Sequence, residues 1–139
     1  MGISLLCTGD IREGRTHLDQ AIALYDPAEH RPLASRFSVD ARQSILSYRP
    51  WTLWVLGYPE AALADADQTV SDAREIGQAV TLMHALAHAP FTYYHCGTYA
   101  TAKVQSDEAI ALADEKGTLF WKAWAMMNQG GVSVLTGKP

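Results

Sequence analysis

Two stretches of this chain repeat each other, position for position, at an offset of 40. Pro50, Trp51, Thr52, Gly57 and Gly77 return as Pro90, Phe91, Thr92, Gly97 and Gly117. Between these markers Ala62 corresponds to Ala102, Asp67 to Asp107 and Val70 to Ile110. A third copy lies upstream, where Asp19-Gln20-Ala21-Ile22-Ala23-Leu24 matches Asp107-Glu108-Ala109-Ile110-Ala111-Leu112 at an offset of 88. Glycines at positions 9, 57, 97 and 137 mark the same turn in successive copies, with eight extra residues between the first two. Self-similarity at this period confines the chain to a stack of small supersecondary units, none of which can bury its apolar face alone.

Within each unit the apolar residues follow a helical period. Gly14, Leu18, Ala21, Ile22 and Tyr25 fall on one face of a helix over 11–25, preceded by the tail of another over 1–9. Asp26-Pro27 ends that helix, because proline excludes the α region from the residue before it. Ala28 to Ser38, with Arg31 and Pro32, reads as the longest loop. Further helices are expected at Asp40–Leu56, Pro59–Ile76, Ala79–Cys96, Tyr99–Lys116 and from Thr118 to near Thr136. Gly57-Tyr58-Pro59-Glu60 combines a glycine suited to a helix C-terminus with a proline suited to the first turn of the next helix. Pro50 and Pro90 fall inside two of these helices, either kinking them alike or starting shorter ones. No period-two pattern persists, so the chain reads as all-α: a right-handed α-solenoid of about seven helices, three hairpins and one unpaired helix, in a single domain over residues 1–139.

Small residues recur where the paired helices must approach closely: Gly14 and Ala21, Ala62 and Ala66, Ala102 and Ser106. The order of glycine, small residue, packing residue and alanine in Gly97, Ala102, Ser106 and Ala109, and in Gly9, Gly14, Leu18 and Ala21, resembles the second half of a tetratricopeptide repeat. The spacing here is 40, and Thr69 stands where that pattern has its last alanine. Two longer stretches are similar to the C-terminal tetratricopeptide-like region of bacterial signalling proteins that join a class III adenylate or guanylate cyclase domain to an AAA-type ATPase module. These are Ala23-Leu24-Tyr25-Asp26-Pro27-Ala28-Glu29-His30-Arg31-Pro32-Leu33-Ala34 and, from Ser47-Tyr48 on, Trp51-Thr52-Leu53-Trp54-Val55-Leu56-Gly57-Tyr58-Pro59-Glu60-Ala61-Ala62-Leu63. The resemblance implies a regulatory, partner-sensing array in the cytoplasm. It carries over no cyclase or ATPase chemistry, since nothing here matches those catalytic domains.

The net charge is -4 and no run of Lys or Arg occurs, which argues against a nucleic-acid or anionic-membrane surface. The N-terminal apolar run is too short for a signal peptide, and no stretch reaches the ~18 apolar residues of a membrane span. Cys7 and Cys96 stand far apart, outside any Cys-x-x-Cys spacing, and read as free thiols. His84, His88, Phe91 and His95 form a stripe on one helix, and His at i and i+4 is compatible with metal ligation. The Glu of a His-Glu-x-x-His site is missing, however, and one helix alone does not close a zinc site. Gly131 to Lys138 imitates a phosphate loop but has five residues between its glycines and Pro139 in place of Ser or Thr. The carboxylates Asp65, Asp67, Asp72, Asp107, Glu108, Asp114 and Glu115 read as solvated helix faces.

These residues predict a non-catalytic protein-interaction module with no cofactor and no metal. Its partner contacts are expected at Tyr48, Arg49, His84, His88, Tyr94 and His95, along a groove lined by the first helix of each hairpin. The alternative is a groove on the same scaffold that senses a small ligand or a metal. The chain begins inside a helix and ends where another is due, so a fragment of a longer protein is expected. The last helix carries Phe120, Trp121 and Trp124, an apolar face that requires covering by a protein partner, by further segments of its own chain or by a second copy in a homodimer.

Overall fold

The computed structural model describes residues 1–37 and 39–137, and among these every regular element is helical. Helices α1 (Gly2–Thr8) and α2 (Ile11–Ala23) pack together. Three short pieces follow: α3 (Pro27–His30), a 3-10 turn (Arg31–Leu33) and α4 (Ala34–Phe37). The long helices are α5 (Ala41–Val55), α6 (Pro59–Ile76), α7 (Ala79–His95), α8 (Tyr99–Lys116) and α9 (Leu119–Thr136). Each long helix packs on the next, and α2 on α5, α5 on α7 and α7 on α9.

The segment expected as the longest loop is largely helical turns. Asp26 caps α3 by accepting from the Ala28 N–H at 2.8 Å, and Pro27 takes the first helical position, where its missing N–H costs nothing. The proline that closes one helix here also opens the next. Ser38 lies outside the described residues, as do Lys138 and Pro139 at the end of the chain. The segment is closed by Tyr25, whose hydroxyl donates to Asp40 at 2.7 Å. Asp40 is buried and also caps α5, accepting from the N–H groups of Arg42 and Gln43 at 2.9 and 3.2 Å.

The turns after α5 and α7 are built alike. Gly57 and Gly97 sit at φ 87° and 81°, a region closed to residues with a Cβ except at a cost. The following N–H groups return to the helix, Tyr58 to the Leu53 carbonyl at 2.9 Å and Thr98 to the Tyr93 carbonyl at 2.8 Å. This is the glycine-centred closure that satisfies the last carbonyls of a helix. Both helices run unbroken through their prolines, so neither Pro50 nor Pro90 starts a new helix.

The core is made of small side chains. Seven of the eleven residues in the buried cluster are alanine, together with Val70, Leu86, Tyr93 and Val132. Ala62, Ala66 and Ala102 are fully buried, and a Cβ added to Gly14 would stand 3.0 Å from the Gly2 carbonyl oxygen on α1. Close helix approach is thus set by side-chain size. Of the carboxylates expected to be solvated, Asp67, Asp114 and Glu115 are exposed, and all but Glu115 also reach a neighbouring helix. On α6, Asp65 pairs with Arg49 and Asp72 with Arg42, both on α5. Asp67 accepts from Tyr93 on α7, Glu108 pairs with Arg74 on α6, and Asp114 with Lys122 on α9. The helical pattern marked those faces as polar; it did not reveal that each polar face meets the edge of the next helix.

Candidate functional site

Helix α7 lies at the centre, in contact with α5, α6, α8 and α9, and contains no Asp, Glu, Lys or Arg. Its histidines at i and i+4 point the same way, and their rings stack at 4.2 Å. His88 is 1% exposed and His84 8%. The hydrogen bonds assign their tautomers. His88 Nδ1 lies 2.7 Å from the His84 carbonyl, which can only accept, so Nδ1 carries the proton. His88 Nε2 then accepts from the Tyr48 hydroxyl at 3.2 Å. Ser47 donates its one proton to the Gln43 carbonyl at 2.8 Å, so its oxygen accepts from His84 Nδ1 at 3.0 Å. Burial, with repulsion from His88 adding to it, pushes His84 down to about 3. Burial lowers His88 to about 4 against the opposing carbonyl bond. Both rings are therefore neutral at pH 7.

Around the pair runs an unbroken series of ring contacts that crosses three helices. On α5, Trp54 meets His95 at 4.5 Å, and Trp51 meets Phe91 at 4.7 Å and stacks on His88 at 5.6 Å. Along α7, Phe91 meets His95 at 4.3 Å and Tyr94 at 5.5 Å. On α9, Trp124 meets His88 at 4.7 Å, Trp121 meets His84 at 5.5 Å, and Phe120 meets Trp121 at 4.9 Å. Trp51 also donates from its indole nitrogen to the His88 carbonyl at 3.4 Å. Gly131 leaves room for Tyr94, since a Cβ there would stand 3.3 Å from the ring. The rings are graded in exposure: His84 and His88 are covered, Trp51, Trp54, Phe91, Tyr94, Trp121 and Trp124 are half-buried, and His95 and Phe120 reach solvent.

Five of the six residues expected as partner contacts belong to this seam: Tyr48, His84, His88, Tyr94 and His95. The structure brings them together but sets His84 and His88 beneath the surface, where they position the outer rings and a macromolecule would not touch them. Arg49 stands apart from the seam. Its guanidinium bridges Asp19 on α2 at 2.7 Å and Asp65 on α6 at 3.0 Å. Burial raises the Asp65 carboxyl above its ordinary value even though Arg49 opposes that shift. Trp51 and Trp124 flank His88; Trp124 is expected from the sequence only on an apolar face of the last helix awaiting cover, and Trp51 is a contact that sequence reasoning does not select. Their signal lies in the columns of the repeat, where Trp51 is the counterpart of Phe91 and Trp124 the counterpart of His84.

Comparison with known proteins finds no matching family model, no matching curated protein and no matching solved structure.

Among the described residues no group of three or more His, Cys, Asp or Glu is arranged to hold a metal ion. Both ring nitrogens of His88 are engaged within the protein, which leaves it no lone pair for a ligand bond. No helix of the described residues is long and apolar enough to cross a membrane. Cys7 and Cys96 are free, the first exposed and the second half-buried, where burial and the Glu60 charge raise its thiol above the usual range. Residues 131–136, the start of the imitation phosphate loop, lie within α9. What the seam offers chemically is a broad aromatic surface with neutral hydrogen-bonding edges.

Proposed function

We propose that this chain is a non-catalytic protein-interaction module, a right-handed α-solenoid of tetratricopeptide-like hairpins whose first helices, α5, α7 and α9, line the recognition face. The observation that carries this reading is the ring seam from Trp54 to Phe120. Half-buried aromatic side chains held rigid by their neighbours are the groups that contribute most at protein interfaces, because they bury large areas at small entropic cost. Charge is segregated in keeping with it. α7 is uncharged, while α6 carries five acids and one base, and α8 four acids and two bases. An apolar partner segment is therefore favoured on the α5–α7–α9 side and disfavoured on the other.

The partner is a segment of protein, either from another molecule or from further sequence of the same polypeptide. The resemblance to cyclase–ATPase signalling proteins supports a regulatory role in the cytoplasm, with any catalysis residing in other domains. Half-burial of Trp121 and Trp124 and 63% exposure of Phe120 extend the surface onto α9. On the same helix Met126 and Met127, 53% and 58% exposed, are the repeat counterparts of the buried Leu86 and Ala87. A second copy or a further helix is the natural cover for that side.

The test is site-specific photo-crosslinking in the full-length native protein, with a benzophenone amino acid at Trp54 or Phe91 on the seam and, as comparison, at Glu75 on α6. Adducts to a discrete protein segment from the seam positions, with those from Phe91 lost when Trp51 and Trp54 are both changed to Ala, support the reading. Adducts from Glu75 alone overturn it.

A further inference from the structure

The junction between α8 and α9 differs from its counterparts at several positions: Lys103 and Gln129 stand where Leu63 and Ala89 stand one repeat earlier, and a large side chain is replaced by a small one. At the α6–α7 junction, Tyr93 fills the space beside the first turns of α6; it is 2% exposed, belongs to the buried cluster, and its hydroxyl donates to Asp67 at 2.6 Å. At the α2–α5 junction the equivalent residue is Leu53, also 2% exposed. At the α8–α9 junction the equivalent residue, one repeat beyond Tyr93, is Ser133. The ring is gone, and a cavity of about 520 Å³ stands in its place, lined by Tyr99, Lys103, Gln129, Val132, Ser133 and Thr136.

The walls have two characters. Val132 and the ring of Tyr99 supply an apolar lining. Lys103 and Gln129 both donate to Asp107, the counterpart of Asp67. Gln129 thus gives Asp107 the bond that Tyr93 gives Asp67, and its amide oxygen remains as an acceptor beside the cavity. Ser133 and Thr136 add two hydroxyls, that of Thr136 donating to the Val132 carbonyl at 2.8 Å. A site of this size, mostly apolar with a few converging polar groups, suits a small organic ligand.

We propose that the α8–α9 cavity is a binding site for a small uncharged hydroxyaromatic molecule, its ring standing where the Tyr93 ring stands one repeat earlier and its hydroxyl facing the Lys103–Asp107–Gln129 set. The repeat itself supplies the template, since it shows a phenol seated in the equivalent space against the equivalent carboxylate. The site shares no residue with the ring seam, so it stands or falls independently of the protein-interaction reading.

The probe is p-cresol, which is the tyrosine side chain detached at its Cβ. Titration of the purified chain by calorimetry, and by fluorine NMR with 4-fluorophenol as competitor, is expected to show saturable binding at one site. Toluene, which lacks the hydroxyl, should bind about tenfold more weakly, as loss of a satisfied polar contact requires. Ser133→Tyr rebuilds the missing ring; it should raise the melting temperature and weaken p-cresol binding by at least about tenfold. Ser133→Leu, which copies Leu53, makes the same test with a smaller side chain should the tyrosine variant not fold. Absence of saturable p-cresol binding to the unaltered chain overturns the proposal. So does undiminished binding to whichever filled variant folds, and equal affinity for toluene rules out the hydroxyaromatic class.

Discussion

The hydroxyl of Thr69 donates across the α5–α6 hairpin to the carbonyl of Leu46, at 3.0 Å. Leu46 is the residue whose carbonyl an N–H at position 50 would have bonded, and position 50 is proline. The threonine that departs from the tetratricopeptide pattern thus meets the need created by the proline that interrupts the helix. Its proton is shared with the Asp65 carbonyl of its own helix at 2.7 Å. Thr69→Val keeps the shape and removes the donor, leaving a buried carbonyl unmet. The expected loss is about 1–2 kcal/mol in urea denaturation. An unchanged midpoint would show that the bond is incidental.

Acid should destabilise the protein through the stacked histidines. Both have folded values below the ordinary 6.5, about 3 for His84 and about 4 for His88, so the unfolded chain binds more protons between those limits. Stability is then complete above pH 6.5 and falls as the pH drops toward 4, by at most about 1.4 kcal/mol per pH unit for each ring. Denaturation at pH 7.5, 6 and 5 measures the slope. His84→Leu should remove close to half of it, and a slope unchanged by that substitution would assign the acid sensitivity to other groups.

Arg49 joins three helices, and its removal exposes the cost of burying Asp65. Arg49→Met keeps most of the apolar stem but leaves Asp65 without its cation, at a cost of about 1–3 kcal/mol at pH 7. Without Arg49 the carboxyl value rises further above its ordinary one, so Asp65 protonates more readily in the folded state. The difference between variant and unaltered protein should therefore shrink at pH 4. A difference independent of pH would mean that the stem, and not the charge, matters.

Ala62 and Ala61 are neighbours with opposite surroundings, the first fully buried and the second exposed. Ala62→Leu should force α6 from its neighbours at a cost of about 1–3 kcal/mol. Ala61→Leu should change stability by less than about 0.5 kcal/mol. Equal effects on thermal melting would remove the close-approach account of the small residues.

Much of the helical layout is legible in the sequence. The glycine at 57 and the proline at 59 bound α5 and α6 to within a residue or two, because turn chemistry is local and the glycine needs a backbone angle that few other residues accept. The stretch after Asp26 is not legible in the same way. One Asp-Pro pair can end a helix or begin one, and only the Asp26 cap at Ala28 distinguishes the two. The histidine stripe is visible as a stripe, yet its depth is not. A helical period says which residues share a face, and His84 and His88 are buried because Trp121 and Trp124 come from a helix one repeat further along the chain to cover them.

The sequence by itself determined that the chain is helical, where its long helices turn, and which positions are counterparts at a spacing of 40. These follow from dihedral preferences and from periodicity along one helix, both of which are short-range. Only the tertiary structure decided that Arg49 is an internal bridge, that the rings join into one seam, and that Ser133 leaves a space where Tyr93 fills one. Those depend on the distance and rotation between helices. Those quantities are set jointly by side chains far apart in the chain, and no single stretch of residues contains them.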